Sequence, residues 1–158
     1  MNYLFLIIAV LLISHSGFSQ GILAGNSVSY LAGAGDFGDA YDTGFGICFN
    51  TELKIIGQLG LTGEFGWNHW SGNSDYPGSK MSDINVFDLL VGGKIGLWLI
   101  YFEARTGYYF GDVEEFVVIP AVGLRLGKLD LNVGYQLAEN FNFVNFRLGY
   151  FWIGRKKK

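Results

Sequence analysis

Cysteine is nearly absent. Cys48 is the only one, which excludes an internal disulfide and a Cys/His metal set. Proline is equally rare, with 2 in 158 residues. Ala, Glu and Lys, the residues that favour helices, are scarce beside Phe, Tyr, Val, Leu and Gly, so a helical bundle is disfavoured. The net charge of −3 is too small to point to nucleic acid. The chain also lacks a long apolar run. The longest, Tyr3 to Ile13, is well short of the ~20 residues a spanning helix needs. That run is followed by small and polar residues, with Gly17 and Ser19 placed three and one before a cut ahead of Gln20. This is the layout of a signal peptide over residues 1–19, and it leaves one domain over 20–158. No cysteine stands at the cut, so a lipoprotein anchor is not expected.

The chain is rich in two-faced alternation. From Lys128 to Leu137 every odd position (Leu129, Leu131, Val133, Tyr135, Leu137) is large and apolar, and every even position is polar, charged or glycine. Side chains alternate faces along a strand, so such a segment has one apolar and one polar face. Eight segments follow this pattern, near 22–34, 43–54, 57–70, 84–97, 99–110, 115–126, 128–138 and 142–153. The predicted fold is all-β: an eight-stranded antiparallel up-and-down transmembrane β-barrel.

The connections alternate in character. Four are longer: Gly35 to Asp42, Ser71 to Asp83, Gly111 to Glu115 and Ala138 to Asn142. They hold nine acids and one lysine. Three are tight: Ile55 to Gly57, Leu97 to Leu99, and Gly127 with Lys128. The tight turns and the tail carry Lys54, Lys128, Arg155, Lys156, Lys157 and Lys158 and no acid. The turn near Leu97 to Leu99 lacks the usual turn residues, and Pro120 inside a strand predicts a bulge.

The glycines place the apolar face. Gly44, Gly46, Gly60, Gly66, Gly92, Gly96, Gly107, Gly123, Gly134 and Gly149 all share the polar face. An eight-stranded barrel has an interior only just wide enough for side chains, so the glycine-rich face belongs inside and the bulky face outside. Trp67, Trp70, Trp98, Tyr108, Tyr150 and Trp152 gather near strand ends, as interfacial aromatic girdles do. In these features residues 21–153 resemble the small eight-stranded outer-membrane proteins, the OmpA/OmpX-like, porin-like barrel group of Gram-negative bacteria. The resemblance implies the outer membrane of a Gram-negative cell, periplasmic termini, and a monomer in contact with outer-membrane lipid and lipopolysaccharide. An envelope protein is a further possible partner.

The inward strands carry Glu52, Glu64, Asp88, Glu103 and Asp130 against Lys94, Arg105, Arg125 and Arg147. A selective pore more often shows a bias of one sign, so this mixture predicts an internal ion-pair network that fills the lumen. Position along the strands puts Glu52, Lys94, Arg125 and Asp130 near the tight-turn end and Glu64, Glu103, Arg105 and Arg147 near mid-height. Cys48 falls on the inward face as a small filler. One catalytic-looking set exists. His69, Ser71 and Asp83 offer a base, a nucleophile and an orienting acid, and His-x-Ser near a barrel rim resembles the outer-membrane lipid A deacylases. The other reading of His69 is a girdle histidine between Trp67 and Trp70. No cofactor or metal is expected. The reading that results is a mostly plugged barrel with a structural or interaction role in the cell envelope. The alternatives are a narrow porin-like channel and a lipid A-modifying acyl hydrolase.

Overall fold

The computed structural model describes residues 21–41, 43–73 and 81–153. The expected signal peptide at 1–19, the basic tail from Arg155, and Asp42, Asp75 and Lys80 of the longer loops lie outside them. Eight strands form: β1 (Ile22–Gly33), β2 (Thr43–Ile56), β3 (Leu59–Trp70), β4 (Ile84–Leu97), β5 (Ile100–Gly111), β6 (Glu115–Leu126), β7 (Leu129–Gln136) and β8 (Phe143–Ile153). Each pairs antiparallel with its neighbour in sequence, and β1 pairs with β8, closing the barrel. Closure gives every strand two partners, so no sheet edge is left exposed.

Burial follows the sequence period. In β7, Leu129, Leu131, Val133 and Tyr135 are exposed, and Asp130, Asn132, Gly134 and Gln136 between them are buried. The same inversion holds in β4, where Phe87, Leu89 and Val91 face out while Asp88 and Leu90 face in. Apolar outside and polar within is the arrangement of a barrel immersed in lipid.

Three two-residue turns close one end of the barrel: Gly57 with Gln58, Trp98 with Leu99, and Gly127 with Lys128. In each the first residue has positive φ, 55° at Gly57, 63° at Trp98 and 65° at Gly127. This is the backbone that glycine supplies most cheaply in a hairpin. Trp98 adopts it without that freedom and is 89% exposed, so little packing offsets the strain. Both termini of the barrel lie at this end.

The opposite end carries the longer connections. The first is not irregular throughout, because Gly35–Ala40 forms a short helix, α1, that buries Phe37 and Ala40. Pro120 produces no bulge. Its pairing with Ala104 of β5 stays in register, and on the β7 side Val118 and Leu137 keep the register of Ala121 and Gly134. Val118 exchanges both backbone hydrogen bonds with Leu137, at 2.8 and 3.1 Å. Pro120, two residues on, therefore aims its missing N–H towards β7, and the strand absorbs the proline as a gap in one ladder. The register shifts fall elsewhere, at Ala24/Gly25 against β8 and at Lys54/Ile56 against β3.

The Trp98 turn gives a direct test. Trp98→Gly is expected to raise the unfolding free energy of the refolded barrel in detergent by up to about 1 kcal/mol. Trp98→Val, branched at Cβ, is expected to lower it. The check is equilibrium denaturation followed by tyrosine and tryptophan fluorescence.

Candidate functional site

The interior is the first candidate site, and its side chains change character along the barrel axis. At the turn end, Glu52, Lys94, Arg125 and Asp130 meet. Lys94 Nζ lies 3.1 Å from Glu52 and 3.6 Å from Asp130, and Arg125 reaches Glu52 at 2.7 Å and Asp130 at 2.6 Å. Tyr101 donates its hydroxyl to Asp130 at 2.5 Å, and Lys94 Nζ sits 3.4 Å from the centre of the Tyr101 ring. Arg125 stacks over Phe151 at 4.3 Å. One layer up, Arg105 and Arg147 both bond to Glu64 Oε2, the former at 2.5 Å. Both also approach Glu103, at 3.7 and 3.2 Å. Asn132 donates to Glu103 at 3.3 Å, and Asn50 accepts from Arg147 at 3.2 Å.

Eight of the nine inward charges therefore sit in two ion-pair layers. Asp88, the ninth, makes no ion pair within 4 Å among the described residues, and its Oδ2 accepts from Asn68 at 2.6 Å. Most of the charges are removed from solvent, with Arg105 1% and Glu64 6% exposed, while Arg125 near the mouth is half-buried. Paired charges in such a place hold each other, and removing one partner leaves the other stranded. A cavity of about 20 Å³ lies between the layers, and one of about 100 Å³ opens at the turn-end mouth beside Gln58, Lys94 and Tyr101.

Above the charges, towards the loops, the inward face turns apolar. Leu31, Val86, Leu90, Tyr109, Val117, Ile119 and Phe143 point inward from the strands, and Phe37 from α1 and Phe141 from the last loop join them. Trp70 stands at the centre of this cluster. Its ring lies 4.8 Å from Phe141, 5.1 Å from Phe143 and 5.9 Å from Phe37. This corrects the assignment of Trp70 to the outer girdle. Trp70 shares the parity of Glu64, Gly66 and Asn68, so the period of the strand turns it inward, and it is 0% exposed. The cluster is readable in the sequence as a change along single strands. In β6 the inward row runs Val117, Ile119, Ala121, Gly123, Arg125 from loop end to turn end.

The other girdle residues face outward. Trp67 and Tyr108 lie towards the loop end, and Trp98, Tyr150 and Trp152 towards the turn end. Two open apolar hollows of about 670 and 660 Å³ lie on the same outer surface, between side chains such as Ile47, Phe65 and Leu148 in one and Val122, Leu131 and Phe146 in the other.

His69 lies on this outer face, near the loop end, with its ring between Phe45 and Trp67. Its Nδ1 is 3.1 Å from Asn85 Oδ1, the residue directly across the ladder. Asp83 does not orient the ring; its Oδ1 accepts from the Gly72 N–H at 3.0 Å. Ser71 is exposed at the strand end. The predicted Ser-His-acid order is thus replaced at its acid by an amide, which cannot stabilise an imidazolium by charge.

The loop acids are more engaged than a solvated fringe. Glu115 Oε1 accepts from the N–H groups of Glu139 and Asn140, at 2.5 and 3.0 Å, and Asp112 accepts from the N–H of Asn85 at 2.7 Å. Asn142 accepts from Ala138 N–H at 2.9 Å, while the N–H of Ala34 bonds to its carbonyl at 3.0 Å. Asp36, Asp39 and Glu114 remain exposed.

No protein-family model matches the chain, and no curated protein matches it. Solved structures do. The outer membrane protein Ail of Yersinia pestis in a phospholipid nanodisc superposes with a TM-score of 0.58 at 10% identity, over 82% of this chain and 99% of that one. The crystal structure of Ail, the attachment invasion locus protein, gives 0.51 at 13% identity over 84% and 95%. A de novo designed transmembrane β-barrel gives 0.51 at 15% identity over 84% and 94%. At such identities the likeness is one of fold: the chain is built as the small eight-stranded outer-membrane barrels are.

The ion-pair layers make an energetic prediction. Arg105→Ala and Arg147→Ala are each expected to lower the unfolding free energy by about 3–5 kcal/mol, the usual cost of stranding a buried charge. Lys54→Ala, at an exposed site beside a turn, is expected to leave it unchanged within error. Chemical denaturation of the three variants in one detergent is the measurement.

Proposed function

We propose that this eight-stranded barrel resides in the outer membrane of a Gram-negative bacterium with a lumen closed to solutes, and that it acts through its loop end in a structural or binding role. The observation that carries this reading is the space left inside. About 20 Å³ between the two charged layers is room for roughly one water molecule, which is too little for a continuous aqueous path. The aromatic cluster around Trp70 stands above those layers.

The loop end supports a contact role. Carboxylates and amides tie its described segments together through backbone N–H groups, which lowers the cost of ordering those segments on binding. The exposed acids favour cationic or basic partners, including divalent ions bridging lipopolysaccharide. Ail has been crystallised with a heparin analogue, sucrose octasulfate; the acidic loops of this chain would repel such a polyanion. The tight-turn end and the termini are placed in the periplasm, and the outward girdles in the lipid interfaces. The barrel acts as a monomer in this reading, with an envelope protein as a possible further partner.

Planar bilayers containing the refolded protein are expected to stay silent although insertion is confirmed by protease protection. Reproducible conductance steps whose size changes in Arg105→Ala would replace this reading with a narrow channel. The hydrolase alternative has its own check. Lipid A mass spectra of cells expressing the protein are expected to match those of cells expressing Ser71→Ala. A lost acyl chain that depends on Ser71 would establish the enzyme.

A further inference from the structure

Cys48, Gly66 and Asp88 form one rung across β2, β3 and β4, Cys48 opposite Gly66 and Gly66 opposite Asp88. All three face the lumen. Glycine at the centre leaves the middle of the rung without a side chain, and the Asp88 carboxylate lies across the gap. A Cβ placed on Gly66 would stand 2.5 Å from Asp88 Oδ2. Glu64, two residues before Gly66 on β3, faces the same space. As a result Cys48 Sγ and one carboxylate oxygen each from Glu64 and Asp88 lie within 4.8 Å of one another, all buried.

A separate observation points to the same place. Asp88 is 1% exposed, and its Oδ1 is buried without a hydrogen-bond partner among the described residues. The neighbouring layer gives it no ion pair within 4 Å among the described residues: Arg105 and Arg147 are drawn to Glu64, and both lie within 4 Å of Glu103. Counting formal charges, that layer is neutral and an ionised Asp88 adds one negative charge that needs balancing, by a proton or by a cation. A divalent cation held by the Cys48 thiolate restores neutrality: the ion adds two positive charges and the thiolate one negative.

We propose that Cys48, Glu64 and Asp88 form a binding site for a zinc-class divalent cation. Zinc accepts thiolate sulfur at about 2.3 Å and carboxylate oxygen at about 2.0–2.2 Å; ligand atoms up to 4.8 Å apart reach one ion by drawing together through small side-chain rotations. The thiolate selects against calcium and magnesium, which take oxygen ligands. On binding, the S–H bond of Cys48 breaks, a metal–sulfur bond forms, and the proton leaves to solvent; nothing is oxidised or reduced. The site lies under the aromatic cluster and beside the ion-pair layers, so the ion enters as the strands close around it, and metal affinity becomes part of folding.

The test uses the untagged barrel, refolded from denaturant with zinc(II) or cobalt(II) and freed of loose metal by chelator and gel filtration. Elemental analysis is expected to find about one ion per wild-type barrel. Cys48→Ser and Asp88→Asn are expected to reduce retention by about tenfold or more. His69→Ala, which removes the exposed imidazole, is expected to retain the ion. The cobalt form should show a thiolate-to-metal absorption band that is lost in Cys48→Ser. A wild-type barrel that folds yet retains no metal overturns the proposal. So does retention by Cys48→Ser equal to that of wild type. The wild-type arm decides the matter even where a variant does not fold.

Discussion

Eight strands leave an interior no wider than the side chains that point into it, and the rest of the molecule answers to that limit. A lumen so narrow leaves little room for solvent to screen a charge, so an inward residue is best small, apolar, or matched by what faces it across the barrel. Glycines at Gly66, Gly92, Gly123 and Gly134 make the room, and Asp88, Arg105, Tyr101 and Ile119 use it. Gly92 is opposite Arg105 in the ladder and Gly134 opposite Asn145, so a large side chain on one strand lies beside an empty position on the next. The same limit explains the outward face. Bulky residues that do not fit inside must go out, and only lipid receives them without penalty.

Within that tube the interior changes from apolar to charged along its axis. The aromatic cluster under α1 carries no formal charge, and each of the two layers below it pairs its own acids with its own bases. Arg125 ties Glu52 on β2 to Asp130 on β7, and Arg147 ties β8 to Glu64 on β3. The β6–β2 and β8–β3 links run across the barrel, between strands that share no ladder. They hold the cross-section in shape where backbone hydrogen bonding acts only around the circumference. Asp88 falls outside both layers, at the point where the charged interior gives way to the apolar one.

Much of this is legible in the chain because the period of a strand is two. Parity alone assigns the faces of Leu129 to Gln136, puts the nine strand charges on one side, and separates acidic loops from basic turns. The turn at Trp98 is legible only through its neighbours, since its own residues carry no turn signal; the pairing of Leu97 with Ile100 fixes it. Trp70 shows how composition misleads where parity does not. A tryptophan near a strand end resembles a girdle residue, but its position in the alternation turns it into the lumen. The apolar strand rows of the cluster are legible too, but three of its members, Phe37, Phe141 and Trp70, come from a helix, a loop and a strand end, and only the closed fold brings them together. Pro120 disturbs less than its chemistry implies, since a missing N–H costs one hydrogen bond while a bulge would have shifted every later residue. Asn85 at His69 follows from register across β3 and β4, which spacing along one strand does not reveal.

The seam between β1 and β8 has a further consequence. Every other ladder joins strands adjacent in sequence, so its contacts are local and form at little entropic cost. The seam alone brings together segments from opposite ends of the barrel, such as Val28 and Leu148, and must overcome the entropy of closing nearly the whole chain. Until it does, β1 and β8 each present an open row of backbone donors and acceptors, the same feature that lets strands of different molecules add to one another. Seven hairpin pairings set the speed at which the sheet grows. The eighth decides whether the sheet becomes a barrel or a nucleus for aggregation.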